Sequence, residues 1–187
     1  MSTAKKVMLE RLLCALVLGA LLVYGGLRFV HNGDDNVVFD EFPRMLTPAE
    51  GVPMHADQAL FTAKALVARH SGAVWWTQGQ RFTLDMYHNP CMYPGVLVDV
   101  DGVVAAVLQY NQTENKNDPM VNKFGPRALR ATLLTDGGVA LDCDLCVAYI
   151  ISSVITPGMA VHARGVVIDK CKLADGQQAV RFVGIIK

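Results

Sequence analysis

The sequence predicts a mainly β protein in which a small five-stranded barrel is preceded by one helix and an N-terminal transmembrane segment. Three observations lead to this reading. From Cys91 onward, short β-branched runs are separated by turn residues at the spacing of an all-β domain. Between Ala56 and His70, apolar residues return with a helical period. A continuous apolar block occurs only near the start, over residues 12–27. The 187 residues suffice for one domain of ordinary size with an extension, and not for two full cores plus a membrane segment.

Residues 1–30 read as a membrane anchor or signal segment. Leu12 to Val23 are apolar apart from Cys14 and Gly19, and the stretch continues to Leu27 before Arg28 interrupts it, near the lower limit for a bilayer span. Lys5, Lys6 and Arg11 precede the block, whereas Asp34, Asp35, Asp40 and Glu41 follow it. The positive-inside rule therefore puts the N-terminus in the cytoplasm and the rest of a single-pass chain in the periplasm or outside the cell. A cleaved signal peptide has the same basic and apolar regions, with Ala20 or Gly25 available before a cleavage point.

Residues 31–55 carry Asn32-Gly33, an acidic cluster and prolines 43, 48 and 53 without a sustained apolar period, the pattern of an extended linker. Residues 56–90 hold the helix and a connecting segment. Leu60, Ala63, Val67 and His70 fall on one helical face, Asp57 lies in the first turn, and Gly72 is the expected stop. Trp75 and Trp76 follow at once, placed to seat the helix on the barrel or on a membrane surface, with packing the commoner role.

Residues 91–187 form the predicted barrel. Gly95 to Leu108 is one long β-branched run with Asp101-Gly102 inside it, where a glycine marks a bulge or coil. Asn111 to Asp118 is polar and reads as an exposed loop. Ala128 to Leu134 and Val139 to Cys143 read as strands joined by the hairpin signal Thr135-Asp136-Gly137-Gly138. Val147 to Ile155 fits helix or strand. Met159 to Ile168 and Ala179 to Ile186 complete the set, with Ala174-Asp175-Gly176 as their turn.

Three strands, a short intervening segment and a two-strand hairpin are the order of an oligonucleotide/oligosaccharide-binding (OB) barrel. The segments "GVLVDVDGVVAAV", "ALRATLLTDGGVALDCDLC", "ITPGMAVHARGVVID" and "AVRFVGIIK" resemble successive strands of the OB-fold family related to the tRNA anticodon-binding domain, in its membrane-associated "anticodon-binding-like" branch. The proline-glycine that leads through alternating residues into "RGVV" resembles that family's fourth strand.

Nothing in the chain marks it as an enzyme, and no cofactor is expected. Cys143 and Cys146 form a CxxC pair, the strongest enzymatic lead, but Asp142 and Asp144 put negative charge beside thiols that a redox role needs acidic. A zinc site drawing on Cys91, Cys143, Cys146 and Cys171 lacks a second close pair. In an exported domain the simplest role for these four cysteines is disulfide bonding. In an OB barrel the first and fourth strands run antiparallel, which implies pairing of Cys91 with Cys171 at one end and leaves Cys143 with Cys146. His55, His70, His88 and His162 are too scattered for a metal motif, and none has a carboxylate partner by spacing. Asn111-Gln112-Thr113 matches a glycosylation acceptor.

Seventeen basic residues balance seventeen acidic ones, which argues against a surface built to neutralise phosphates. The expected role is that of an anchored, non-catalytic binding module that takes a protein partner or an envelope ligand on the face of its second and third barrel strands. Nucleic-acid binding and thiol-disulfide exchange at Cys143 and Cys146 are the alternatives. The former lacks aromatic residues on those strands for stacking.

Overall fold

The computed structural model describes residues 43–47, 54–110, 113–147 and 154–186. Helices α1 (Ala56–Arg69) and α2 (Ser71–Trp76) lead to a two-residue strand β1 (Gln80–Arg81), helix α3 (Leu84–His88) and a 3-10 turn over Pro90–Met92. The barrel then begins with β2 (Leu97–Gln109). Helix α4 (Pro119–Phe124) and a second 3-10 turn (Gly125–Arg127) precede β3 (Ala128–Thr135), β4 (Ala140–Val147), β5 (Ala160–Lys172) and β6 (Gln178–Ile186).

Strand β2 serves two partners in succession. Its first half, Leu97 to Val103, pairs antiparallel with β5, and its second half, Gly102 to Gln109, with β3. Gly102 belongs to both ladders. A Cβ there would lie 2.8 Å from the Leu134 carbonyl oxygen, so only glycine lets β3 come this close. The register then shifts between Val104 and Ala106, a bulge that bends the strand as closure requires. Strand β3 continues into β4 through a hairpin, β4 pairs parallel with β6, and β6 pairs antiparallel with β5, which returns to β2. The five strands β2–β6 thus close on themselves. Strand β1 pairs in parallel with Val98 and Asp99, on the part of the β2 edge that β3 does not reach.

Two cores follow from strand alternation. On β4, Leu141, Cys143 and Leu145 point into the barrel, where they meet Leu133, Val180 and the fully buried Phe182. Each such side chain contributes about 1.5–3 kcal/mol by leaving water. The opposite face of β4 is also covered: Cys146 joins Leu97, Val166, Val183 and Ile185 in a second core, roofed by Leu66, Val67 and Val74 of α1 and α2 and by Met120 and Phe124 of α4. Asp142 and Asp144 alternate with the inward residues, yet burial on both faces encloses these two carboxylates as well.

Three expectations need correction. Helix α1 ends at Arg69, but Gly72 is not its stop: the chain bends at His70 and resumes as α2, with Gly72 inside it. Burial of Ala73 and Val74 outweighs the cost of a glycine in a short helix. Residues 119–127, to which the apolar pattern assigns no element, form α4 and its 3-10 turn. Asp118 caps α4 by accepting from the Met120 and Val121 amides, and Pro119 occupies its first turn. Part of the expected linker is helical: Pro43 to Leu46 are in helix, and Leu46 packs against the second core.

Among the described residues no helix is long and apolar enough to cross a membrane. The segment 12–27 read as an anchor, most of the linker, and Asn111 lie outside the described residues.

Candidate functional site

The outer face of the barrel is open where the helices do not cover it. Helices α1 and α4 shield the end of β4, all of whose residues are buried, so the exposed surface runs over the second half of β2 and the outward residues of β3, with buried Asp142 of β4 beneath it. The expected face, the second and third barrel strands, is therefore displaced by one strand toward β2. A groove of about 610 Å³ lies here, bounded on one side by Ala105, Ala106 and Leu108 and on the other by the β5–β6 turn from Lys172 to Gln177. Leu108 is 64 % exposed and Leu134 38 %, so its banks are apolar and unfilled.

The floor of the groove carries one ion pair. Arg130 Nε donates to Asp142 Oδ1 at 3.0 Å and its Nη2 donates to Oδ2 at 2.5 Å, a bidentate fork across the β3–β4 ladder. That hydrogen bonding raises the Arg130 pKa above its ordinary value. With Lys172 and Asp175 on the rim, the lining has two cations and two carboxylates and no aromatic ring. Such a surface suits a partner of mixed apolar and neutral polar character. It offers no ring on which a base can stack and no surplus of positive charge for a phosphate chain.

The four cysteines among the described residues are dispersed and all are free. Cys143 and Cys146 stand three residues apart on one extended strand, about 10 Å along it. They point to opposite faces, Cys143 into the barrel and Cys146 beneath the helices. A disulfide needs α-carbons within about 7 Å, so β4 as folded cannot close that bridge. Burial pushes the Cys143 thiol well above its ordinary pKa and lifts Cys146 to about 12. Both shifts oppose the acidic thiol that redox exchange needs.

Cys91 is exposed in the 3-10 turn before β2, and Cys171 is half-buried near the end of β5, the same end of the barrel. The Cys171 thiol is raised by burial and then by Asp142, whose Oδ2 lies 4.0 Å from Sγ. Among the described residues no three His, Cys, Asp or Glu side chains are grouped to hold a metal.

His162 does have carboxylate partners, contrary to the reading from spacing. Its Nδ1 lies 2.7 Å from Asp101 Oδ1 and its Nε2 3.6 Å from Asp99 Oδ1. The pairing of Asp101 with His162 across the β2–β5 ladder creates this contact, and a sequence separation of 61 hides it. Arg164, also on β5, grips Asp99 with two hydrogen bonds of 2.5 and 3.0 Å and donates to the Trp75 carbonyl at 3.1 Å, which ties α2 to the barrel.

No family model matches the chain, and no curated protein matches it either. A solved structure of the mitochondrial single-stranded DNA-binding protein Rim1 from S. cerevisiae is similar over 49 % of this chain and 88 % of that one, at 10 % identity and a TM-score of 0.27. A likeness that low carries no inference about activity. The strand order and closure speak for themselves: β2-β3-β4-β6-β5 returning to β2, with β4 and β6 parallel, is an OB-type barrel.

Proposed function

We propose that this chain is a membrane-anchored, extracytoplasmic, non-catalytic OB module, of the anticodon-binding-like branch that its strands resemble, and that its groove holds a protein partner or an envelope ligand. The observation that carries the reading is the groove itself. Leu108 and Leu134 offer apolar contact, the Arg130–Asp142 pair offers a donor and acceptor of fixed geometry, and the opposing charges cancel. Partly apolar or uncharged polar segments meet those requirements better than a polyanion does. The fold supplies the position of the site and not the identity of what fills it.

The test is photo-crosslinking from the groove in intact membranes. A photoreactive residue at Ala106, exposed in the same groove, is expected to capture one discrete partner, and adding Leu108→Asp with Leu134→Asp is expected to abolish that capture without lowering stability, since both leucines are already exposed. Equal capture from a photoreactive residue at Leu84, exposed on α3 away from the groove, defeats the assignment. Nucleic acid is the competing occupant. Fluorescence anisotropy with labelled single-stranded DNA and RNA across a salt series distinguishes it: micromolar binding with a steep salt slope replaces the proposed reading.

A further inference from the structure

A second concavity, of about 530 Å³, lies on the helical side between α2 and α4 and is separate from the groove. Its walls are Trp75, Phe124, Val147 and Ile185, and its rim carries Trp76, Lys123 and Arg127. The chain has two tryptophans, and both are here. Packing accounts for Trp75, which rests against the second core, but not for Trp76, which is 68 % exposed. The Arg127 guanidinium sits over the Phe124 ring at 5.6 Å and so stays at the rim. Among the described residues that line the concavity none is a carboxylate, whereas the groove is charge-balanced.

An exposed tryptophan beside two cations around an apolar hollow is the composition that settles at the headgroup level of a bilayer. The indole is apolar with one polar N–H, and lysine and arginine attract anionic lipid. A lipid surface takes up the exposed Trp76 ring and the two cations together. The chain that leads from residues 12–27 reaches the same helical layer, because Leu46 packs against its core. Fifteen residues, 28–42, separate that block from Pro43, a reach of at most about 50 Å.

We infer that Trp76, Lys123 and Arg127 form a docking face for an anionic lipid surface, which seats the barrel domain on the membrane and leaves the groove free for its partner. The choice of lipid as occupant rests on the membrane-anchored reading above. The test uses the full chain reconstituted in vesicles of phosphatidylcholine alone or with about a third phosphatidylglycerol, and reads tryptophan emission and its quenching by lipids brominated near the headgroup.

A blue shift with quenching in the anionic vesicles is expected, retained in Trp75→Phe and lost in Trp76→Ser. Lys123→Gln combined with Arg127→Gln is expected to lower the ratio of seated to free domain by roughly thirtyfold, about fivefold per cation. Emission unchanged by phosphatidylglycerol overturns the inference, as does a blue shift that grows with protein concentration in lipid-free detergent, which assigns the face to a second copy of the chain. Alkaline carbonate extraction separates this outcome from the anchor: a chain washed from vesicles that still shows the anionic-lipid signal refutes the anchor and keeps the docking face.

Discussion

Lys64 shows how one side chain can bind three elements together. It is 7 % exposed, on the buried face of α1, and its Nζ lies 2.8 Å from Asp118 of the α4 cap and 3.2 Å from Asp144 of β4, while it donates to the Tyr110 hydroxyl at 3.2 Å. Burial raises the Asp144 pKa above its ordinary value even though Lys64 pulls it down. A carboxylate whose folded pKa exceeds its unfolded one supports the fold fully below the unfolded value and loses that support as pH rises through the folded value. Lys64→Met leaves two carboxylates without their cation and is expected to cost about 3–5 kcal/mol near neutral pH. The deficit is expected to shrink on acidification as Asp144, whose pKa burial raises, takes up its proton. Urea denaturation across a pH series reads this, and a deficit equal at every pH contradicts an electrostatic role. The cysteines give a second expectation at this scale. Exposed Cys91 is expected to alkylate quickly in the folded domain and Cys143 and Cys146 only on unfolding, as read by peptide mapping. A Cys143–Cys146 linked peptide from folded protein contradicts the β4 register.

Strands β5 and β6 pass closest to each other's backbone where Gly165 pairs with Gly184. A Cβ on Gly165 would collide with the Val183 carbonyl and the Gly184 backbone, and one on Gly184 would lie 2.5 Å from the Arg164 carbonyl oxygen. Neither clash can be relieved by a side chain swinging away, because the obstacle is backbone. Gly165→Ala is therefore expected to cost about 3 kcal/mol, the upper end for overpacking. Gly72→Ala, with nothing near its Cβ, is expected to be neutral or to stabilise α2 slightly. Paired denaturation curves check the contrast. Comparable losses in both variants mean that close strand approach is not what Gly165 provides.

At the scale of the whole molecule, the helical layer divides the barrel surface. By covering the end of β4 it restricts the open face to β2 and β3, and it presents its own cationic, tryptophan-bearing concavity elsewhere. The proposed anchor places the domain outside the cytoplasm, the side that the positive-inside rule expects from basic residues before Leu12 and acidic ones after Arg28. A reporter that works only when exported, fused after Lys187, is expected to be active. Activity of a cytoplasm-only reporter at the same point removes the topology and, with it, the case for an envelope ligand.

Local chemistry in the sequence was enough to define the five barrel strands, the hairpin at Thr135–Gly138 and helix α1, because β-branched runs, turn glycines and a helical period each act over a few residues. The missing elements are those stabilised by distant partners. Helix α4 is short and owes its place to Asp118 and to burial of Met120 and Phe124 under α1, and α2 is held through Arg164, 89 residues beyond Trp75. The groove was legible only as a general location, since Leu108, Leu134, Arg130 and Asp142 look like ordinary strand residues until closure sets them on one uncovered face. The same holds for His162 with Asp101 and for the separation of Cys143 from Cys146. Sequence determines which residues form strands. Strand pairing, and the layer that covers one face and not the other, decides which of them meet and which remain open to a partner, because those contacts join residues that are far apart along the chain.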